Sequence, residues 1–236
     1  MKLSIVIPCY NEEENIPILL ERFAAALDRD DVELVLVDNG STDQTAKALE
    51  TLLPRYPFAR SVRVAVNQGY GFGILSGLRK ASGEFLAWTH ADLQTDPADG
   101  LRALRLAEAA PDPRRVLVKG RRKGRPWSSL VFTAGMSVFE TLYLGVWLRD
   151  INAQPNLFHR EFFETWEDPP HDFSLDLYAY YLARRRGLRV IRFPVRFPER
   201  RHGHSKWNFG FGSRVRFIRR TVAYSISLKR RLRHAS

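Results

Sequence analysis

The chain's 236 residues suffice for one sizeable hydrophobic core or two small ones, and its apolar, aromatic and charged fractions are those of a folded globular protein. A single cysteine, Cys9, excludes an intramolecular disulfide and an all-cysteine metal site, and fits a reducing compartment. The net charge is +11, yet residues 1–199 are formally neutral: no acidic residue follows Glu199, and the excess comes from eleven Lys and Arg beyond it.

The opening run MKLSIVIPCYNEEEN turns acidic too soon for a secretory signal, and nothing marks the chain for export. Leu3–Ile7 reads as a buried strand and Glu12–Leu27 as an amphipathic helix. Glu33–Val37 is a second strand, followed by a helix starting near Ser41-Thr42-Asp43, where several side-chain oxygens can cap it. Val62–Val66 and Phe85–Trp88 read as two more strands, with a helix around Gly73–Ala81 between them, and Val116–Val118 as a fifth. Runs this apolar suit strands covered by helices on both faces, hence a mostly parallel central α/β sheet that binds ligands at its carboxyl edge. There is no internal repeat, low-complexity stretch or obvious linker.

Beyond residue 125 the pattern changes. Leu130–Leu148 is apolar with Glu140 its only charge, just long enough to span a membrane. Thr133, Ser137 and Thr141 form a polar stripe, and a mid-membrane Glu140 costs about 2.5–3.5 kcal/mol. The expected form is a helix packed on the domain or lying in the interface, with an ordinary core helix as the alternative. Leu188–Phe197 alternates apolar and basic residues as a strand does. Ser213–Arg233 reads as a basic amphipathic helix, with Val215, Ile218, Val222 and Ile226 on one face. Such a helix is drawn to anionic lipid, although a solvated basic tail has the same composition. Only Phe211, Phe217 and Tyr224 are interleaved for base stacking and no nucleic-acid motif is present, which disfavours nucleic acid as the partner.

Four loop clusters follow the predicted strands. In Pro8-Cys9-Tyr10-Asn11-Glu12, Tyr10 can stack on a flat base and Glu12 can accept from a ribose or base. In Asp38-Asn39-Gly40-Ser41, an acidic residue at a strand end is placed to bind a nucleoside edge. Both clusters are also ordinary turn chemistry. Asn67-Gln68-Gly69-Tyr70-Gly71-Phe72-Gly73 sets three alternate glycines before a helix, allowing close backbone approach to a ligand and a phosphate at the helix start. In Thr89–Pro97, His90, Asp92 and Gln94 alternate, so on extended backbone they project to one side and can hold Mg²⁺ or Mn²⁺.

The segments IVIPCYNEEENI, VLVDNGSTDQT, NQGYGFGILSGLRKASGEF, HADLQTDP and RRHGHSKWN run in order over roughly residues 3–208. On them the chain resembles glycosyltransferase family 2, in the branch of dolichol-phosphate mannose synthase and related polyprenyl-phosphate sugar transferases. The resemblance implies a GT-A fold (Rossmann-like, for nucleotide-diphospho-sugars), a UDP- or GDP-linked sugar donor and a divalent metal, Mn²⁺ or Mg²⁺. Pro8, Tyr10, Glu12 and Asp38 match nucleoside-binding positions, and Asn11, Asn39, Gln68, Gly69, Gly73, Ala91 and Asp92 complete the implied donor set. The metal motif falls on His90, Asp92 and Gln94. Where the family usually has aspartate, His90 offers an imidazole that still binds Mn²⁺ but removes one negative charge. Arg121 matches the basic residue after the fifth strand that faces a phosphate. Arg201, Ser205 and Lys206 match an element that closes over the phosphates and acceptor. Asp92, Arg121, Arg201 and Lys206 are thus the implied catalytic groups.

An acceptor phosphate is already anionic and needs no general base, so metal and arginines would suffice. A hydroxyl acceptor requires a carboxylate base, for which Asp150, Asp172 and Asp176 are the candidates, unless they are caps or surface charges. The reading adopted is an inverting transferase, residues 1–210, that glycosylates a lipid-linked phosphate. Residues 211–236 would hold it as a peripheral protein on the cytoplasmic face of an anionic membrane. The alternatives are a family-2 transferase acting on a saccharide or other hydroxyl, and a noncatalytic nucleotide-sugar or nucleic-acid binding relative whose metal site has decayed at His90.

Overall fold

The computed structural model describes residues 1–124, 127–196 and 219–230, with the backbone alone at 127–132. Strand β1 (Leu3–Cys9) lies between β2 (Val32–Asn39) and β4 (Phe85–Trp88), parallel to both, with Cys9 opposite Asp38 and Val6 opposite Trp88. Outside β2 runs β3 (Ala59–Val64), also parallel. On the other side β6 (Asn156–His159) is antiparallel between β4 and β5 (Val116–Lys123), and β7 (Arg189–Arg196) pairs parallel with β5. The seven-stranded order is β3-β2-β1-β4-β6-β5-β7.

Because the central strands are apolar at nearly every position, alternate residues feed two cores. Leu3, Ile5 and Ile7 of β1 join α1 (Asn15–Ala26), α2 (Thr45–Leu52) and α4 (Pro97–Glu108) on one face. Val6, Val37, Leu86 and Trp88 join α3 (Tyr70–Lys80) and α7 (Leu175–Arg185) on the other, with Phe162 of the short α6 (Arg160–Glu164). Gly77 sets the spacing of α3: a Cβ there would meet Val6 at 2.3 Å and Val37 at 2.8 Å.

The expected strands are all present, the fourth with the expected bounds and the others with shifted ends. The third starts at Ala59 and stops at Val64, and the fifth runs on through Arg121-Arg122-Lys123. Helix α3 starts at Tyr70, three residues before the glycine-based expectation. Strand β6 was not anticipated, since four residues opening on Asn156 carry too weak an apolar signal.

The apolar segment after residue 125 forms α5 (Trp127–Leu144), and no helix of the described residues is long and apolar enough to cross a membrane. Of the expected basic helix, 219–230 is described, as α8. It packs on α5, where both carboxylate oxygens of the buried Glu140 accept from Ser225 Oγ, at 2.9 and 2.7 Å. Lys229 donates to the Tyr143 carbonyl, and Arg220 pairs with Asp172 at 3.1 Å. Val222 and Ile226 are half-buried.

Burial raises Glu140 to about 7, only partly offset by the Ser225 hydrogen bond. A carboxyl with a pKa of about 4.3 when unfolded therefore favours the α5–α8 joint fully at low pH and loses that contribution as pH rises through 7. Glu140→Gln, which cannot ionise, is expected to become the more stable protein by about 2 kcal/mol between roughly pH 5 and 8. Thermal unfolding across that range checks it.

Candidate active site

The strand register brings the loops after β1, β2 and β4 to one edge. Asn11, in left-handed backbone (φ 57), ties the first two together. Its Oδ1 accepts from Thr42 N at 2.9 Å and its backbone N–H donates to Ser41 Oγ at 3.2 Å. Glu12 N–H donates to Thr45 Oγ1 at 2.8 Å, and Glu12 Oε2 accepts from Asn15 at 2.6 Å. Asp38 is buried and its Oδ1 accepts from Ser41 N at 3.0 Å. Asn39 donates to the Gly69 carbonyl at 3.0 Å, which draws in the third loop. Gly40 has φ 71, and a Cβ there would strike Asn67 N at 2.4 Å, so only glycine admits this approach.

The glycines of the third loop serve a different end from the phosphate cradle expected. Because α3 begins at Tyr70, Gly71 and Gly73 lie in its first turn. A Cβ on Gly69 would meet His171 O at 2.4 Å, on Gly71 the Pro170 carbonyl at 2.5 Å, and on Gly73 the Asn39 side chain at 2.9 Å. They make room for protein backbone and side chains. Gln68 is exposed beside them.

The fourth loop is bent where extended backbone was expected. Leu93 has φ 59, and Gln94 N–H donates to Asp92 Oδ1 at 3.2 Å. Thr89 and Thr95 hydroxyls bond at 2.8 Å across the bend. The simple alternation argument for His90, Asp92 and Gln94 therefore does not describe their geometry; the bend positions them. Asp92 is 6% exposed, while His90 and Gln94 are half-buried. Ala91 packs in the α1/α4 core. Among the described residues no three His, Cys, Asp or Glu side chains cluster for a metal. The set of one carboxylate, one imidazole and one amide still fits a divalent ion that takes its remaining oxygens from substrate phosphates.

Behind this loop lies a polar network that sequence reasoning missed. The His90 ring stacks on Tyr70 at 5.7 Å, and Tyr70 stacks on Phe173 at 4.5 Å. Gln154 Nε2 donates to the Tyr70 hydroxyl (3.1 Å) and to Asp176 Oδ1 (2.9 Å). Asp176, 2% exposed, also receives Trp88 Nε1 at 3.3 Å and Asn156 Nδ2 at 2.9 Å. Asn156 Oδ1 in turn accepts from Lys119 Nζ at 2.6 Å, and the Ala153 carbonyl accepts from it at 2.7 Å. Burial raises Asp176 and lowers Lys119 to about 7, and each charge opposes the other's shift. Among the described residues Asp176 Oδ1 accepts from three N–H donors and Lys119 Nζ donates to two oxygens, so the two groups are joined through the Asn156 amide. Burial also raises the Tyr70 phenol, with the charges of Asp176 and Asp92 adding to it. A lone lysine within the apolar run VLVKG was the available signal, because a fully buried cation demands a partner.

The other candidate bases are engaged. Burial raises Asp150, but Arg122 outweighs it and holds the carboxyl below its ordinary range, with Arg122 N and Nε donating at 3.0 and 2.9 Å. Asp172 accepts from Ser174 N at 2.8 Å at the start of α7 and pairs with Arg220. Arg121 is exposed, whereas its neighbour Arg122 lines a cavity of about 480 Å³, open mouth included, with Met136, Ser137, Ile151 and Phe173. Arg201, Ser205 and Lys206 lie outside the described residues.

The family model for glycosyl transferase family 2 matches residues 4–166. The chain belongs to this family. A relative, undecaprenyl-phosphate 4-deoxy-4-formamido-L-arabinose transferase from Photorhabdus laumondii, is 31% identical over 214 residues, covering 88% of this chain and 63% of the relative. The enzyme of the same name from Yersinia enterocolitica is 40% identical over 115 residues, 47% of this chain and 35% of that one. The chain thus spans less than two thirds of the length of these curated relatives. Among solved structures, glucosyl-3-phosphoglycerate synthase from Mycobacterium tuberculosis, in complex with Mn²⁺, UDP-glucose and phosphoglyceric acid, superposes with TM-score 0.74 at 19% identity, covering 97% of this chain and 79% of that one. A mannosyltransferase from Pyrobaculum calidifontis with GDP-Man and Mn²⁺ superposes at 0.65 with 22% identity, covering 86% and 58%. The fold is the GT-A arrangement that the resemblance implied.

Removing the Lys119 charge tests the buried network. Lys119→Met is expected to lower stability by about 3–5 kcal/mol, because it strands Asp176 and two acceptors. Adding Asp176→Asn should recover part of that loss, as urea unfolding of the single and double variants will measure.

Proposed function

We propose that the protein transfers a sugar from a UDP- or GDP-sugar to a polyprenyl phosphate, with inversion, at an anionic membrane surface. The observation that carries this reading is the match of residues 4–166 to glycosyl transferase family 2. A cavity beside Arg122, whose guanidinium pairs with Asp150, mixes Met136, Ile151, Phe173 and Leu177 with polar side chains and offers room for an amphipathic acceptor. Phe173 of its wall stacks on Tyr70, which stacks on His90, so the cavity and the metal loop sit at opposite ends of one aromatic ladder. The three candidate bases are already hydrogen-bonded or ion-paired, which favours an acceptor that arrives as an anion over one that must lose a proton. Both relatives described above are named as undecaprenyl-phosphate transferases, which points the same way.

In this reading Pro8, Tyr10, Glu12 and Asp38 hold the nucleoside, with Asn11 and Asn39 keeping their loops in place. Asp92, with His90 and Gln94, holds Mn²⁺ or Mg²⁺, which when bound offsets charge on the departing diphosphate. Arg121 keeps the phosphate-facing place that the resemblance gives it, with Arg122 beside it held by Asp150, while Arg201, Ser205 and Lys206 close over the acceptor. Residues 1–210 form the transferase domain, and the basic residues of 211–236 favour the anionic cytoplasmic face of a membrane.

Thermal unfolding with UDP, GDP and their sugars, each with Mn²⁺, Mg²⁺ or chelator, tests the donor half. One nucleotide with metal should stabilise the fold by about 2.7 kcal/mol at a hundredfold excess over Kd. Asp92→Ala should lose both that shift and sugar transfer to a short-chain polyprenyl phosphate. Near-normal transfer by the variant would remove Asp92 from the metal site, and transfer to a free saccharide alone would replace the acceptor.

A further inference from the structure

Helix α5 is built inside out. Among its described side chains, 133–144, the exposed positions are Ala134, Gly135, Val138, Phe139 and Leu142, an apolar stripe at helical spacing without one polar side chain. The polar Ser137, Glu140 and Thr141 face the protein instead. Ser137 Oγ accepts from Asp150 N at 3.2 Å, Thr141 Oγ1 exchanges hydrogen bonds with the backbone of Leu148 at 3.0 and 3.1 Å, and Glu140 meets Ser225. Leu142 is 78% exposed, Val138 58% and Phe139 36%, and Trp147 in the loop that follows is 61% exposed. A helix that only covered a core would turn these two faces the other way.

On α5, in the loop after it as far as Arg149 and on α8, every charge apart from the buried Glu140 is a cation. Arg149 lies over the Trp147 ring at 5.9 Å, and Lys229 over Tyr143 at 4.4 Å. Arg219 and Arg230 are exposed on α8. Glu140 is the sole acid between residues 127 and 149, it is buried, and no acid follows Glu199. An apolar ridge with a tryptophan at its end, flanked by cations, matches a bilayer interface with anionic headgroups.

We propose that the outer face of α5, with Trp147, inserts into the interface of an anionic bilayer and is the apolar anchor of this protein. This deepens the membrane part of the proposed function, and of the forms the sequence left open for this segment it takes the helix in the interface, with the basic tail as its partner in attraction. The tail attracts the protein to the surface, and α5 holds it there. The cavity lined by Arg122, Met136 and Ser137 lies against the same helix, so an acceptor drawn from that bilayer would reach it without crossing open water.

The test is sedimentation of the full chain with phosphatidylglycerol-containing vesicles and with phosphatidylcholine vesicles, for the native protein and for Val138→Glu/Leu142→Glu. Both positions are exposed, so unfolding temperature should hold, and all eleven cations beyond Glu199 remain. The native chain should bind the anionic vesicles, and the variant should bind them at least about tenfold more weakly. Brominated lipid should quench native fluorescence more than that of Trp147→Phe. Equal binding by the double variant, or quenching unchanged without Trp147, would overturn the proposal and leave the tail as the anchor. A native dimer in lipid-free buffer that the double variant dissociates, with vesicle binding intact, would assign the face to a second copy and also overturn it. The assay involves no turnover, so failure of the transferase reading would show as lost transfer with vesicle binding unchanged.

Discussion

Backbone hydrogen bonding holds β1 between two parallel partners, and the rest of the site depends on that register. With Cys9 level with Asp38 and Val6 level with Trp88, the loops that leave β1, β2 and β4 share one edge of the sheet. A one-residue slip would exchange Ile5 and Ile7 with Val6 between the two cores, which is why the register is firm. Close packing then adds the third loop. Gly40 and Gly73 allow Asn67, Asn39 and Pro8 to meet where any side chain would force them apart.

Beneath that edge the protein keeps a basic and an acidic side chain away from water. Asp176 and Lys119 do not touch directly, and the Asn156 amide stands between them with its oxygen toward the lysine nitrogen and its nitrogen toward the carboxyl group. Burying an ion pair is costly unless each lone pair and proton is matched, and here Trp88, Gln154 and Ala153 supply the additional partners. Gln154 extends the network to the Tyr70 hydroxyl, so the ring on which His90 stacks is held from behind. A rigid network of this kind fixes the ring without drawing on the loop that carries Asp92.

The second half of the chain turns one domain into a surface. Strand β6 reverses direction, β5 carries Arg122 toward Asp150, and α5 and α8 close over the cavity between them. The polar stripe of α5 serves this closure by holding the backbone of Leu148 and Asp150. Val138, Phe139 and Leu142 are then left on the outside, and the same helix has to satisfy two environments.

The sequence by itself determined the α/β class, the central strands and the placing of the loops at a carboxyl edge, because runs such as LSIVI and ELVLV are apolar enough to be covered on both sides. It also determined the family, through five segments in order. Local pattern could not decide which way a helix faces. The stripe of Thr133, Ser137 and Thr141 was visible, but only packing showed that it points inward. Glycine spacing likewise suggested a phosphate cradle, and only the positions of His171 and Asn39 revealed that the space is filled by the protein itself. The Lys119–Asn156–Asp176 network joins residues far apart in the chain, and the bend at Leu93 arises from contacts across the loop. Tertiary structure alone decided those features, because a buried charge and a strained loop are stable only through partners that sequence order does not bring near.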